Sequence, residues 1–313
     1  MANEKLRDRI ANTLSHLDGA VLQGKEEALR LAMVAMLTGG HLLIEDLPGM
    51  GKTTLALALA GSTGLTLGRV QCTSDLLPSD ITGLSVFRRE EGHFAFLPGP
   101  IFNHLVLVDE VNRAMPRTQS ALLEAMEERR VTVEGVTHTL PEPFLVIATQ
   151  NPAEQTGTYP LPESQLDRFL LCTGIGYPAE LLEKTIISGG GVRDKLEGLP
   201  RMLSPEDIIA ARKEVAEVYL STAVVDYIYL FVAKTRTDHQ VLTGLSTRAA
   251  IGLAMAARAV AYLAGRDYVA PEDVRDIAVS SGAHRLLMRP EHYSRDRKEL
   301  IRTILAEIPL PLA

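Results

Sequence analysis

Residues 42–54 read Leu-Leu-Ile-Glu-Asp-Leu-Pro-Gly-Met-Gly-Lys-Thr-Thr, and this stretch predicts an apolar strand, a tight loop and the start of a helix. Gly49 and Gly51 lack a Cβ, so a phosphate can approach the backbone closely, and free N–H groups at a helix amino terminus bind anions. Lys52 would add a positive charge, and Thr53 a hydroxyl ligand for magnesium. The stretch therefore indicates a phosphate-binding loop in an α/β protein.

The loop departs from the pattern G-x-x-x-x-G-K-[ST] at its first position, where Asp46 replaces glycine. Asp46 either brings negative charge near the phosphates and weakens nucleotide binding, or its side chain caps the loop. A plain Pro-Gly turn before a helix is the alternative to a phosphate-binding loop. The apolar strand before the loop and the apolar residues 55–60 after it favour phosphate binding.

The composition is that of an ordinary globular protein, because 46% of the 313 residues are hydrophobic and 23% are charged, with room for two domains. A net charge of −7 disfavours a surface devoted to nucleic acid, although a local basic stripe is compatible with it. Cys72 and Cys172 form neither a disulfide framework nor a metal-ligand pattern. The charged amino-terminal residues lead into no signal peptide or membrane span. We therefore expect a cytoplasmic protein with buried, reduced thiols.

A second chemical signature is the acidic pair at the end of a predicted strand. Residues 105–108 are all apolar, as in a strand buried on both faces, and Asp109 and Glu110 follow them. Ligands bind at the carboxyl ends of strands in an open parallel sheet. Asp109 is thus the candidate ligand of a hydrated magnesium ion, and Glu110, pointing elsewhere, the candidate to orient or activate water. Without the phosphate-binding loop, the pair would be read as a polar strand end.

Two further polar residues flank predicted strands. The apolar strand over residues 144–148 leads to Asn151, whose amide could bond both the γ-phosphate and the attacking water, although Asn-Pro also opens many turns. His41 precedes the first strand and has no Cys or His partner nearby in sequence. We interpret His41 as a turn residue bonded to backbone rather than a metal ligand.

Two segments alternate in the manner of β-hairpins, residues 84–97 around a Glu-Glu-Gly turn and residues 131–139 around Glu-Gly. The first hairpin carries Phe87, Phe94 and Phe96. These rings either contact a partner or fold down onto the sheet, and the residues by themselves do not distinguish the two.

The chain divides into two parts by its pattern. Strands and helices alternate up to about residue 190, which predicts a three-layer parallel sheet. Three glycines at 189–191 predict a hinge, and the remainder consists of helices with clear caps. We expect an α/β core over residues 1–190 and a small all-α lid over residues 191–313 that can move against it. The predicted lid helices begin at Ser204, Ser221, Ser246 or Thr247, and Ala270.

Longer strings carry a resemblance to a known family. Residues 96–102 read Phe-Leu-Pro-Gly-Pro-Ile-Phe, residues 148–152 read Ala-Thr-Gln-Asn-Pro, and residues 157–169 read Gly-Thr-Tyr-Pro-Leu-Pro-Glu-Ser-Gln-Leu-Asp-Arg-Phe. Together with the Val-Asn-Arg-Ala that follows the acidic pair and Gly-Leu-Ser-Thr-Arg at 244–248, they resemble the MoxR family of AAA+ ATPases over nearly the whole chain. The resemblance implies a P-loop NTPase core with a lid domain and an ATP hydrolase that uses ATP and Mg²⁺.

The resemblance also implies a role for each candidate residue. It assigns nucleotide binding to Gln23, Gly24 and the Walker A residues Pro48, Gly49, Met50, Gly51, Lys52, Thr53 and Thr54. It assigns the magnesium ion to Thr53 and Asp109. It assigns catalysis to Glu110, to Asn151 as sensor 1, to Arg168 as arginine finger and to Arg248 as sensor 2.

Arg168 would reach the γ-phosphate of the neighbouring subunit, where a guanidinium neutralises charge in phosphoryl transfer and contributes about 10³ to 10⁵ in rate. An arginine at a strand entrance is otherwise commonly a surface ion-pair residue. In relatives of this branch the lid can shift so that Arg248 also acts across the interface. Arg113 is a lesser candidate for the finger.

The resemblance implies a hexameric ring that matures or activates a partner enzyme complex in a chaperone-like way, including metal-cofactor insertion, with partners bearing a von Willebrand factor A domain. The two hairpins would be the helix-2 insert and the pre-sensor-1 hairpin, facing the central pore, which favours partner contact by Phe94 and Phe96. A nucleic-acid motor and a nucleotide-sensing binding module are the alternatives. The turns Arg88-Arg89-Glu90-Glu91 and Glu134-Gly135 are nearly neutral to acidic, which disfavours the motor. The intact Asp109, Glu110 and Asn151 disfavour the module.

Overall fold

A computed structural model describes residues 5–152, 156–178, 180–188, 196 and 198–311. Five parallel strands form the central sheet in the order β2-β5-β8-β1-β9. These strands are β1 (Leu42–Glu45), β2 (Leu67–Gln71), β5 (Leu105–Asp109), β8 (Leu145–Gln150) and β9 (Leu171–Thr173). The order places β1 and its following loop between β8 and β9, and it confirms the predicted parallel sheet.

Helices cover both faces of the sheet and then continue as a helical region. In the first part the helices are α1 (Leu6–Ala20), α2 (Glu26–Thr38), α3 (Lys52–Thr63), α4 (Pro78–Thr82), α5 (Pro116–Glu128), α6 (Glu163–Leu166) and α7 (Glu180–Ile187). The later helices are α8 (Pro205–Glu217), α9 (Thr222–Thr237), α10 (Thr247–Leu263), α11 (Pro271–Gly282) and α12 (Arg297–Glu307).

The two predicted hairpins are present as separate antiparallel ribbons. Strands β3 (Gly83–Arg88) and β4 (His93–Pro98) pair around the Glu-Glu-Gly turn, and β6 (Arg130–Val133) pairs with β7 (Val136–Thr139). Glu134 and Gly135 both have positive φ at the second turn, as a tight two-residue hairpin requires.

The helices of the helical region begin at the capping residues that were predicted from the sequence. The hydroxyls of Ser204, Ser221 and Ser246 each accept a backbone N–H three residues on, which satisfies one of the free donors at a helix start. One feature was missed. Strands β10 (Val241–Thr243) and β11 (Leu287–Met288) form a small antiparallel pair within the lid, although the sequence suggested that strands end with the core.

One continuous apolar cluster joins the sheet to the helical region. Helix α2 is apolar on nearly all sides, so it packs on the sheet and also on α8 and α10. A second cluster fills the other face of the sheet under α5. The predicted glycine hinge at 189–191 lies outside the described residues, and the domain boundary therefore stays a prediction.

Several single-residue expectations are settled by packing. Burial in an apolar setting raises the pKa of the Cys72 thiol to about 12, and neither Cys72 nor Cys172 forms a disulfide. Within the described part of the chain His41 bonds to backbone, because its Nδ1 accepts the N–H of Val146 and its Nε2 lies 3.1 Å from the carbonyl of Met126. Its pKa falls to about 3, chiefly through burial, so the ring is neutral.

Helix α3 continues through Gly61 and stops at Gly64, which has a φ of 65°. A left-handed residue after the last turn is the usual helix stop, and glycine adopts it without strain. Gly61 has ordinary helical surroundings, with nothing within 4 Å of its Cβ position, so nothing forces the chain out of the helix there.

Candidate active site

The loop between β1 and α3 has the geometry of an anion-binding site. Gly49 and Gly51 have φ values of 85° and 95°, which side-chain-bearing residues rarely adopt. Among the described residues no atom lies within 4 Å of a Cβ built at either position, so this part of the structure leaves the space beside the loop open. Among the described residues no side chain caps the amino terminus of α3. Its free N–H groups are therefore open to a bound phosphate.

Asp46, the residue that departs from the loop pattern, is bonded to backbone amides. Its Oδ1 accepts the N–H of Leu47 at 2.9 Å, and its Oδ2 accepts those of Ile175 and Gly176 at 2.7 and 2.6 Å. Burial raises the pKa of this carboxyl, but the three amides and the nearby Lys52 outweigh it and hold the pKa below its usual value. Asp46 thus caps backbone amides, one of them in the loop itself, and its effect on nucleotide binding stays a prediction.

Lys52 begins α3 and lies among acidic groups. Its Nζ donates to the main-chain carbonyl of Asp46 at 2.5 Å. Burial lowers the pKa of Lys52, and this effect outweighs the opposing influence of Asp46, Asp109 and Glu110. The ammonium group therefore interacts electrostatically with both strand-end carboxylates, and it could act as the counter-ion of a phosphate bound by the loop.

The two adjacent carboxylates have different directions and partners. Asp109 ends β5, and its Oδ2 accepts the Arg69 Nε at 2.9 Å. Glu110 takes the left-handed conformation with φ 56° and donates its N–H to the Thr149 hydroxyl at 2.9 Å. Its Oε2 accepts from Gln71 at 3.3 Å, on the neighbouring strand. The sharp turn after Asp109 separates the two side chains, as their adjacency led us to expect.

Asn151 follows β8 directly and lies level with the phosphate-binding loop. The register pairs Glu45 with Gln150, and the Asp46 N–H donates to the Gln150 carbonyl at 3.2 Å. Three consecutive neighbouring strands, β5, β8 and β1, therefore end in polar residues at one edge of the sheet. This carboxyl edge brings together Lys52, Thr53, Asp109, Glu110 and Asn151.

The groups at the carboxyl edge fit a magnesium nucleotide. No cluster of three or more His, Cys, Asp or Glu that could hold a metal occurs within the described residues. Magnesium bound with a nucleotide needs only one or two carboxylates, since phosphate oxygens and water complete its shell. Asp109 and the hydroxyl of Thr53 supply suitable oxygen ligands, and the open amides and Lys52 supply donors for phosphate.

Gln23 and Gly24 lie in the turn before α2. The Gln23 amide donates to the carbonyl of Gly19 at 3.0 Å, and Gly24 has a φ of 73°. The next residue, Lys25, was not singled out from the sequence, yet it is 6% exposed and its Nζ bonds to the backbone of residues 175–177. A lysine at a helix start opposes the helix dipole, and that unfavourable placement was the available signal.

Arg168 and Arg248 meet on one carboxylate. The Arg168 Nε lies 2.8 Å from one oxygen of Glu127, and the Arg248 guanidinium donates to the other. Both arginines lower the pKa of Glu127, Arg168 having the larger effect, so this carboxyl is ionised at neutral pH. The three side chains line one cavity together with Gly40 and His41, the residues just before β1.

The arginine pair therefore lies at the amino edge of the sheet, while the phosphate-binding loop follows the carboxyl end of the same strand. Strand β1 has four residues and spans roughly 13 Å. Arg113, the lesser finger candidate, is on the other side, because its guanidinium lies 3.2 Å from Glu110 in the chain's own carboxyl edge.

Buried groups from the lid hold the loop that carries Arg168. Arg285 is 6% exposed and donates to the carbonyls of Asp167 and Phe169. The Nε2 of His284 lies 2.9 Å from the same Phe169 carbonyl. The position of Arg168 thus depends on lid residues that are distant in sequence, and these were not identified from the sequence.

The aromatic residues of the first hairpin have two different environments. Phe94 is 66% exposed and contacts Phe87, whereas Phe96 stacks on His138 of the second hairpin at 3.9 Å between ring centroids and packs against Phe102. Phe96 thus joins the two hairpins, and its contact with a partner stays a prediction. Phe87 and Phe94 remain exposed on the hairpin.

No helix in the described part of the chain is both long and apolar enough to cross a membrane.

Comparison with known proteins agrees with this architecture. The profile of the ATPase family associated with various cellular activities (AAA) matches residues 41–171, and that of the AAA lid domain matches residues 233–304. A crystal structure of a Cytophaga hutchinsonii protein, described as a candidate ATPase, has a TM-score of 0.89 at 36% identity, covering 97% of this chain and 96% of that one.

Two curated relatives are similar over most of their length. The uncharacterized protein YeaC of Bacillus subtilis is 42% identical over 311 residues, which cover 99% of this chain and 97% of YeaC. Chaperone MoxR1 of Mycobacterium tuberculosis is 39% identical over 277 residues, covering 86% of this chain and 73% of MoxR1. Similarity of this degree over most of the chain, together with the core and lid matches, shows that the chain belongs to the MoxR family of AAA+ ATPases.

Proposed function

We propose that this protein hydrolyses ATP with Mg²⁺ at interfaces between subunits of a homo-oligomeric ring, which we expect to be hexameric. The observation that carries the proposal is the division of the candidate residues between two edges of one sheet. The carboxyl edge carries Lys52, Asp109, Glu110 and Asn151. The amino edge carries Arg168 and Arg248. A strand separates the two sets, so we infer that each site uses arginines from an adjacent chain.

The proposed chemistry at the carboxyl edge follows from its side chains. The amides of the loop and Lys52 would bind the β- and γ-phosphates, and Thr53 and Asp109 would hold magnesium, which neutralises phosphate charge when bound. Glu110 would orient and activate the attacking water, and Asn151 would bond the γ-phosphate and that water. Arg69, which pairs with Asp109 at 2.9 Å, and Lys52 offset the negative charge of the two strand-end carboxylates.

The arginine pair would complete the site of the neighbouring subunit. In the free chain Arg168 and Arg248 share Glu127, whose side chain is 35% exposed. A γ-phosphate carries more negative charge than one carboxylate and would compete for both guanidinium groups. We infer that Arg168 acts as the finger, and that Arg248, as sensor 2, acts from the same subunit as Arg168.

We further propose that hydrolysis drives remodelling or activation of a partner protein. The relative MoxR1 is named a chaperone. Family resemblance favours partners with a von Willebrand factor A domain. The exposed Phe87 and Phe94 on the first hairpin offer an apolar contact surface. We place the protein in the cytoplasm, as expected from its sequence.

A nucleic-acid motor is the alternative that the hairpins allow. On the first hairpin Arg88 pairs with Glu91 at 3.2 Å, and His93 lies 3.1 Å from the same carboxylate. Positive charge at this turn is thus partly neutralised within the chain, which disfavours a phosphate-backbone contact. A nucleotide-sensing module without turnover is the other alternative, and the complete set of candidate catalytic residues disfavours it.

The decisive experiment measures phosphate release and nucleotide binding in parallel. We expect Mg²⁺-dependent ATP hydrolysis by the wild type, loss of nucleotide binding in Lys52→Ala, and at least ~100-fold slower hydrolysis with retained binding in Glu110→Gln. Glu299→Gln, an exposed carboxylate on α12 paired with Arg302, is the matched control and should match the wild type.

Hydrolysis by Glu110→Gln at the wild-type rate would contradict the assignment of Glu110. Stimulation of hydrolysis several-fold by DNA, with steep loss in salt, would favour the motor. A pull-down with Glu110→Gln in ATP is expected to retain a protein partner that Lys52→Ala does not retain.

A further inference from the structure

A buried lysine and an aspartate hold one short segment from opposite sides. Residues 175–177 follow β9 beside the phosphate-binding loop. The Lys25 Nζ donates to their three carbonyl oxygens, at 3.0, 2.6 and 2.5 Å in chain order. The Asp46 Oδ2 accepts the N–H groups of the first two residues, at 2.7 and 2.6 Å. We call this arrangement of Lys25, Asp46 and residues 175–177 the clamp.

The backbone of the segment is shaped to bind a carboxylate. Gly176 has a φ of 69°, and the left-handed conformation lets two consecutive N–H groups converge on one oxygen. Burial lowers the pKa of Lys25, and Asp46 opposes this effect, so the two charges stabilise each other through the segment between them. The negative charge of Asp46 is thus directed to amides and a lysine.

The strand order locates the clamp relative to a nucleotide. The groups proposed to act on the γ-phosphate come from β5 and β8, on one side of β1. A triphosphate bound by the loop after β1, with its γ end toward Asp109, must direct its nucleoside toward the other side. Strand β9 and residues 175–177 lie on that side, together with Gly24 and the clamp lysine.

We propose that Lys25 and Asp46 are positioning residues that fix residues 175–177 as a wall for the nucleoside end of ATP. The inference rests on the proposed function and adds how the nucleoside end is held. It also accounts for Asp46 in a glycine position, because the carboxylate is needed to orient the segment and its charge is satisfied before any phosphate binds.

Two probes separate the nucleoside end from the phosphates. Mg²⁺–ADP contains a nucleoside and phosphates, whereas Mg²⁺–tripolyphosphate contains phosphates alone. The affinity for each probe, measured by calorimetry, therefore reports on a different part of the site. We expect Lys25→Met and Asp46→Asn each to weaken ADP binding at least ~10-fold while changing tripolyphosphate binding by less than ~3-fold. The double variant should bind ADP no more weakly than the worse single variant, because both residues act through one segment.

The matched control for Lys25→Met is Lys234→Met, which removes an exposed lysine paired with Glu307 in the lid and should bind both probes as the wild type does. If Lys25→Met does not fold, as judged by circular dichroism, the isosteric Asp46→Asn decides.

Unchanged ADP binding in folded Asp46→Asn would overturn the proposal. Equal weakening of ADP and tripolyphosphate would also overturn it, since the clamp would then act on the phosphates. A wild type that binds neither probe would instead refute the proposed function itself.

Discussion

The carboxyl and amino edges of the sheet differ in how their polar residues reach one place. At the carboxyl edge Asp109 and Asn151 follow neighbouring strands directly, so backbone register positions them. At the amino edge Arg168 and Arg248 come from a loop and a lid helix and meet only through Glu127 on α5. One half of the proposed site is thus a local property of strand ends, whereas the other half depends on lid packing.

The largest expected effect tests whether the two edges belong to one site made by two chains. Arg168→Ala should lower hydrolysis about 10³-fold while leaving ADP binding unchanged, since a finger acts on the transition state. Mixing Arg168→Ala with Lys52→Ala subunits should restore part of the activity, because one chain supplies an intact loop and the other an intact arginine. Phosphate release from the mixture measures this rescue.

Arg302→Ala serves as the control for the loss of a surface charge. Its mixture with Lys52→Ala should hydrolyse ATP in proportion to the fraction of Arg302→Ala subunits, because these carry the intact loop. Two affinity tags can show that the rings contain both variants. If such mixed rings of Arg168→Ala and Lys52→Ala show no rescue, Arg168 does not contribute to a shared site.

A smaller expected effect is that the two edges lose stability in different pH ranges. His41 and His284 both lie at the amino edge, and burial as the main cause lowers the pKa of each to about 3. The unfolded chain takes up these protons below about pH 6.5, whereas the folded chain does not. Each histidine therefore contributes to the free energy of unfolding above about pH 6.5. This contribution falls by about 2 kcal/mol per histidine between pH 7 and pH 5.

Chemical denaturation at both pH values measures this loss. His41→Asn, which does not titrate, should lose roughly half as much stability over that interval, whereas the exposed-residue control His16→Gln should behave as the wild type. The carboxyl edge should lose stability at lower pH than the amino edge, because the pKa of Asp46 is held below its usual value. The stabilising effect of the ionised Asp46 is lost as pH falls through that lowered pKa. Equal pH sensitivity of wild type and His41→Asn would argue against a buried neutral His41.

The smallest effect concerns Glu127. Glu127→Gln removes the charge shared by two arginines, and because partly exposed ion pairs contribute little, the free energy of unfolding should change by less than about 1 kcal/mol. Hydrolysis should fall a few-fold through poorer positioning of the arginines, with ADP binding unchanged. Glu299→Gln is again the control, and a Glu127→Gln rate identical to the wild type would make the ion pair incidental to turnover.

Much of the carboxyl edge was predictable because its signals are local. An apolar run followed by Asp109 and Glu110 fixes both the strand and its polar end, and Gly49 and Gly51 fix the loop conformation. The partners of these residues were not predictable. Arg69 contacts Asp109 only because β2 and β5 are neighbours, and strand neighbours cannot be read from one-dimensional periodicity.

The lid illustrates the same limit. Serine caps predicted its helix starts, since a cap bonds to an amide three residues away. The pairing of β10 with β11 escaped prediction because the strands are two or three residues long and distant in the chain. The stacking of Phe96 on His138 was not predictable either, because His138 belongs to the other hairpin.

A parallel α/β core, the tight glycine loop after β1, the strand-end carboxylates and the family could all be read from the sequence, because each depends on residues close together in the chain. Only the tertiary structure decided that Asp46 faces backbone amides, that Lys25 joins it around residues 175–177, and that Arg168 and Arg248 share Glu127. These contacts join residues far apart in sequence, and their geometry is fixed by strand order and helix packing, which no local pattern records.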